Sequence, residues 1–115
     1  MNMDFEHSLL VEYQKGLPRK LELLRQLVAG VKKERSLSSL EALQFEVHKI
    51  VGNSGTYGYK TASDLCRQLN MDLIEKTKSF SQTIISDEWL SSLDLFLQKL
   101  EKAFSVPDIK FQIFQ

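Results

Sequence analysis

The 115 residues are enough for one domain built round one core. Lysine plus arginine (15) equals aspartate plus glutamate (15), so the charge gives no reason to expect nucleic acid or an anionic membrane surface as a partner. No apolar run is long enough to span a bilayer, and Met1-Asn2-Met3-Asp4-Phe5-Glu6 lacks the basic-then-apolar order of a signal peptide; with a single cysteine, Cys66, this predicts a reducing, cytoplasmic setting.

Phe5, Leu9 and Tyr13 recur every four residues and predict a short amphipathic helix from Asp4 to Gln14, ended by Gly16. His7 lies off that stripe and reads as a surface histidine. No second histidine, cysteine or acidic cluster stands at metal-ligand spacing with it, so neither a metal nor a cofactor is expected. Leu17, Leu21, Leu24, Val28 and Val31 mark a second helix, with Pro18 in the first turn, where its missing N–H is harmless. Lys32 and Lys33 close it with charge that suits the C-terminal end of the helix dipole.

The stretch from Ser38 to Tyr57 is the one round which the chain is organised. Ser38 and Glu41 have the S-x-x-E spacing of a capping box and predict the helix start. At about 100° per residue, Leu40, Leu43, Val47, Ile50, Val51 and Ser54 share a core face. His48 falls roughly 120° from the middle of that face, at the boundary or in solvent. Glu41, Gln44 and Phe45 surround it on the turns before, Gly52 and Gly55 on the turns after, and Phe45 and Lys49 point away from the core. A glycine within a helix costs about 1 kcal/mol relative to alanine, and an exposed phenylalanine gains nothing by its position. Either the glycines mark a fraying helix end and Phe45 covers a loop, or a docking partner supplies the reason for both.

Gly58 turns the chain into a fourth helix, Lys60 to Lys78, with Ala62, Leu65, Cys66, Leu69 and Leu73 as its core stripe. Ser63, Arg67, Asn70 and Ile74 share a flank that approaches His48 if the two helices are antiparallel; otherwise Arg67 and Asn70 are solvated flank residues. Ser79 to Ser86 reads as a polar loop plugged by Ile84 and Ile85. The fifth helix begins at Asp87, with Trp89, Leu93, Phe96, Leu97, Leu100 and Phe104 along its stripe, and Pro107 stops it. Long helices and short connections predict an all-α, up-and-down four-helix bundle with a short additional N-terminal helix. The bundle takes residues 1–106. Residues 107–115 form a C-terminal tail whose Ile109, Phe111 and Ile113 alternate with Lys110 and Gln112, a pattern that suits an extended segment.

The run His48-Lys49-Ile50-Val51-Gly52-Asn53-Ser54-Gly55-Thr56-Tyr57-Gly58, followed by Ala62, Leu65, Cys66 and Leu69, resembles the signature of histidine-containing phosphotransfer (HPt) domains. The resemblance covers Leu40 to about Leu73. It implies that His48 is the phospho-accepting histidine and Gly52 the glycine that lets a response-regulator receiver domain approach. It also places Asn70 where the family's helix supplies a polar partner for the active imidazole. Gln44, Phe45, Gly52 and Gly55 then form the docking surface, and Lys49, Asn70 and Arg67 support the phosphate. Two positions depart from the pattern: Val51 stands where a lysine is usual, and Asn53 replaces a hydroxyl residue. A nearby cation would offset phosphate charge, so its loss predicts transfer with weaker retention.

Imidazole is a good nucleophile at neutral pH, and a phosphoryl group on its nitrogen remains a reactive donor. The sequence holds no phosphate-cradling glycine loop, no acidic cluster for Mg²⁺ and no room for an ATP-binding domain. The expectation is a monomeric phosphocarrier without autonomous catalysis. Its partners are receiver domains, a hybrid histidine kinase, or both, and neither nucleic acid nor membrane is among them. The alternative is a helical adaptor or inhibitor that binds receivers or kinases through the same face without carrying phosphate, with a dimerising bundle of the histidine-kinase type as a more distant reading.

Overall fold

The computed structural model describes residues 2–108, with side chains from His7 onward. Five α-helices run in order: α1 (Asn2–Lys15), α2 (Leu17–Glu34), α3 (Leu37–Ser54), α4 (Lys60–Lys78) and α5 (Asp87–Ala103), with single 3₁₀ turns at Gly55–Tyr57 and Phe80–Gln82. Helices α2 to α5 form the up-and-down bundle that the sequence predicts, and α1 is the additional helix.

The start of α3 differs from the expectation. Ser36, not Ser38, is the N-cap: its backbone is extended and its Oγ accepts from the Ser39 N–H at 3.1 Å, while Ser39 Oγ accepts from the Ser36 N–H at 3.1 Å. A serine thus does what Glu41 was expected to do, two residues earlier. Glu41 is exposed and takes no part in the cap. The connection from α2 is only Arg35 and Ser36. Arg35 adopts the left-handed conformation (φ 46°), and its guanidinium donates to the Ile85 carbonyl at 3.0 Å and pairs with Asp87. The turn between α2 and α3 is therefore tied to the start of α5.

The core is continuous across the four bundle helices and includes Leu24, Val28, Leu40, Leu43, Ala62, Cys66, Leu73, Leu93 and Leu100. Helices α3 and α4 make the most extensive contact, and α4 buries the small residues Ala62, Ser63 and Cys66. Ser63 Oγ donates to the Val51 carbonyl at 3.3 Å, a side chain of one helix bonded to the main chain of the other. Val51 itself is half-buried, packed against the core. On the opposite side α2 and α5 run antiparallel, joined by Arg25 to Glu101 at 3.1 Å and Lys32 to Asp94 at 2.6 Å.

Some apolar positions on α1, after α4 and on α5 lie elsewhere than the periodicity suggests. On α1, Leu10 packs with Tyr13 against the core while Leu9 is exposed, because contact with the bundle's end sets the rotation of the helix. The side chain of Phe5 lies outside the described ones. After α4, Ile85 is buried as expected but Ile84 is 87% exposed; adjacent residues in an extended segment face opposite ways, and Phe80 is the second plug. On α5, Leu90 joins the core, and Trp89 and Leu97 lie at its edge.

Gly16 is a slight bend between α1 and α2, not a reversal: its backbone is near-helical, and its carbonyl accepts the first bond of α2 from Lys20 N–H. An 18-residue helix is about 27 Å long, so the 53 Å length of the molecule shows that α1 runs on past the bundle. Its C-terminal turn is anchored there. Tyr13 stacks on Tyr57 with centroids 4.3 Å apart and donates its hydroxyl to Asn53 Oδ1 at 2.8 Å. Gly58 adopts the left-handed conformation (φ 86°) that lets the chain reverse into α4. The chain returns to that corner after α5, where Asp108 N–H donates to the Gly58 carbonyl at 2.9 Å and the Asp108 carboxylate accepts from Thr61 N–H. This caps an α4 N-terminus that Tyr59 leaves without a side-chain cap. The expected alternation over residues 109–115 lies outside the described residues.

Candidate functional site

His48 sits past the middle of α3, exposed, on the edge facing α4. The antiparallel packing of α3 on α4 brings Asn70 opposite it. Asn70 is only 8% exposed, and its Nδ2 lies 3.4 Å from His48 Nδ1. The Asn70 carbonyl Oδ1 accepts from Gln44 Nε2 at 2.8 Å. An unpaired buried amide costs about 1 to 3 kcal/mol, so Gln44 and His48 together satisfy Asn70. Asn70 is thus in contact with the imidazole and is not a solvated flank residue. With Nδ1 engaged, Nε2 of this exposed side chain has no hydrogen-bond partner among the described residues.

The outer face has the character that needed explaining. Phe45 is 65% exposed, so it covers no loop. Gly52 lies inside α3, which continues to Ser54 and into the 3₁₀ turn, so it does not mark a frayed end. A Cβ on Gly52 would meet nothing within 4 Å. The internal packing therefore gives no reason for either residue. Gly55 differs: a Cβ there would touch Ser63 Oγ and Cβ at 3.7 and 3.8 Å, ordinary contacts, so this glycine looks toward α4.

The two candidate cations are disposed differently. Lys49 Nζ is 3.0 Å from Glu46 Oε1 and 5.2 Å from the centre of the Phe45 ring, which draws it away from His48 toward the far side of α3. Arg67 lies one turn before Asn70 on α4, exposed and without an ion-pair or hydrogen-bond partner among the described residues. Met71, 65% exposed and four residues beyond Arg67, adds an apolar side chain that the sequence reading passed over. Its signal was a large apolar residue off the core stripe. His7 is exposed on α1, as expected of a surface histidine. Burial pushes the Cys66 thiol up to about 12, which keeps it protonated and makes it a packing residue.

The family model of the Hpt domain matches residues 8–103. The chain belongs to the Hpt domain family. The match takes in all of α2 to α5 and most of α1, so the whole bundle, and not only the run round His48, is the Hpt domain. Hpt domains are phosphocarriers of two-component signalling, which work with receiver and kinase domains. No curated protein and no solved structure matches the chain. Among the described residues, no helix of this Hpt domain is long and apolar enough to cross a membrane.

Proposed function

We propose that the chain is a phosphorelay intermediate that takes a phosphoryl group onto Nε2 of His48 from the aspartyl phosphate of one receiver domain and passes it to the aspartate of another. The observation that carries this is the contrast at one residue: His48 Nδ1 lies 3.4 Å from a buried amide, while Nε2 has no hydrogen-bond partner among the described residues, and Gly52, one turn on, has open space where a side chain would stand. In the transfer step the Nε2 lone pair attacks phosphorus, the N–P bond forms, and the P–O bond breaks with its electron pair returning to the aspartate as carboxylate. The ring becomes a phosphoimidazolium and can lose its Nδ1 proton. The receiver brings the aspartate and the metal that stabilises the transferring charge, and this chain brings the nucleophile and the platform.

Phe45, Gln44, Gly52, Gly55 and Met71 supply the surface the receiver covers, with Gly52 allowing its backbone to come near. Arg67 is the cation better placed to meet the phosphate, and Lys49 would have to leave Glu46 to do so. Val51, where a lysine is usual, shortens retention. The bundle of residues 1–106 is the phosphotransfer unit, acting as a monomer in the cytoplasm.

The test is phosphate uptake from receiver domains charged with a small phosphodonor, read as acid-labile, base-stable label. His48→Gln is expected to abolish labelling while binding persists, and unchanged labelling in that variant overturns the proposal. Labelling absent with every receiver of a broad panel, with binding retained, would favour the adaptor reading, for which the half-buried Val51 in the lysine's place is the supporting observation.

A further inference from the structure

The chain of amides Gln44–Asn70–His48 has a polarity, and that polarity decides which nitrogen of the ring carries the proton. With Gln44 Nε2–H donating to Asn70 Oδ1 at 2.8 Å and Asn70 Nδ2–H donating to His48 Nδ1 at 3.4 Å, Nδ1 acts as acceptor. A neutral imidazole that accepts at Nδ1 keeps its proton on Nε2. Nε2 then has no lone pair to offer an incoming phosphoryl group. Turning both amides over exchanges oxygen and nitrogen with the heavy atoms in place, and it reverses the chain: His48 Nδ1–H donates to Asn70 Oδ1, and Asn70 Nδ2–H donates to Gln44 Oε1. Only this second arrangement leaves Nε2 a free nucleophile.

We infer that Gln44 is a positioning residue that governs the tautomer of His48 through Asn70. The inference rests on the phosphotransfer reading for its consequence, but not for its geometry. An amide at position 44 can serve as donor or acceptor, so it supports both polarities, as a two-way carrier requires. The reversed chain prepares the ring to accept. Once Nε2 is phosphorylated, the first polarity, in which Asn70 donates to Nδ1, holds the ring neutral and less ready to give the group up. Asn70 is buried enough that its amide cannot turn to water as an alternative, and so the two amides turn together.

The experiment replaces Gln44 with a group that can only accept. In Gln44→Glu the carboxylate takes Asn70 Nδ2–H, which turns Asn70 Oδ1 toward His48 and fixes the proton on Nδ1. The readout is the pair of ¹⁵N shifts of the His48 ring at a pH where it is neutral, which needs no phosphate. The Nδ1–H to Nε2–H ratio is expected to rise roughly five- to tenfold, the worth of about one hydrogen bond. Gln44→Glu with Asn70→Ala breaks the chain and is expected to remove the rise, which separates it from a direct effect of the added charge. An unchanged ratio in Gln44→Glu, or a rise that survives Asn70→Ala, overturns the inference. Gln44→Met, which preserves shape, checks that the fold tolerates change at this position by circular dichroism. If the tautomer shifts as stated but His48 takes up no phosphate, the phosphotransfer reading fails and the positioning role stands. If uptake is normal and the tautomer does not move, the reverse holds.

Discussion

At Gly52, stability and transfer make opposite demands on one atom. Added methyl carbon there meets nothing within 4 Å, and alanine in a helix interior is favoured over glycine by about 1 kcal/mol. Gly52→Ala is therefore expected to raise the midpoint of thermal unfolding by a few degrees. The same methyl stands one turn from His48, on the surface a receiver would cover, so transfer into the domain should slow, and Gly52→Gln should nearly stop it. Thermal melts and transfer rates on the same samples check both arms; transfer that ignores glutamine at this position would remove Gly52 from the docking surface. That Gly52 stands one turn after His48 on an outer face was legible in helical spacing, whereas the roles expected of the two came from the family resemblance. Gln44 was legible as a neighbour of His48, but its bond to Asn70 was not. That bond depends on the register of α3 against α4, which no local pattern fixes.

Among the elements, α4 was readable to its end residues, Lys60 and Lys78, because Gly58 and the polar loop after Lys78 bracket an unbroken apolar stripe. The start of α3 was not. Ser36, Ser38 and Ser39 offer the cap several candidates within one turn, and what chooses among them is the path of the chain out of α2, with Arg35 left-handed and bound to Ile85 and Asp87. Losing a serine N-cap costs about 1 kcal/mol, whereas an exposed serine inside the first turn is worth within about 0.5 kcal/mol. Ser36→Ala should thus lower the urea midpoint clearly and Ser38→Ala hardly at all. Equal effects would mean that the two serines share the cap. Ile84 and Ile85 pose the same difficulty at the other end of the bundle: neighbouring isoleucines are equivalent in sequence, and only the direction of the chain out of the Phe80–Gln82 turn buries one of them.

Taken whole, the molecule owes little to its surface charges and much to what its interior keeps neutral. The ion pairs between α2 and α5 join side chains that are 37 to 63% exposed, and such pairs contribute from nothing to about 1 kcal/mol. Two acids, the buried Cys66 and the half-buried Tyr13, behave differently. Burial raises the Cys66 thiol from 9.0 to about 12. Burial raises the Tyr13 phenol as well, and Cys66, Tyr59 and Tyr57 would repel its anion. Both groups are neutral in the native state while the unfolded chain is free to ionise, so the sign follows from proton counting. Below pH 9 both states hold the thiol proton, and the contribution to stability is complete. As pH rises from 9 toward 12 the unfolded state loses that proton and the native state keeps it, so stability falls by up to about 1.4 kcal/mol per pH unit for this one group. Tyr13 adds to the slope from pH 10 upward. Denaturant titrations between pH 8 and 11 should therefore show a steepening loss of stability above pH 9 that Cys66→Ala makes shallower, even though the variant is less stable at neutral pH because it leaves a small cavity beside Leu69 and Leu73 on the core face of α4. Parallel curves for the two proteins would show that water reaches the thiol and that the core is looser there than its packing indicates.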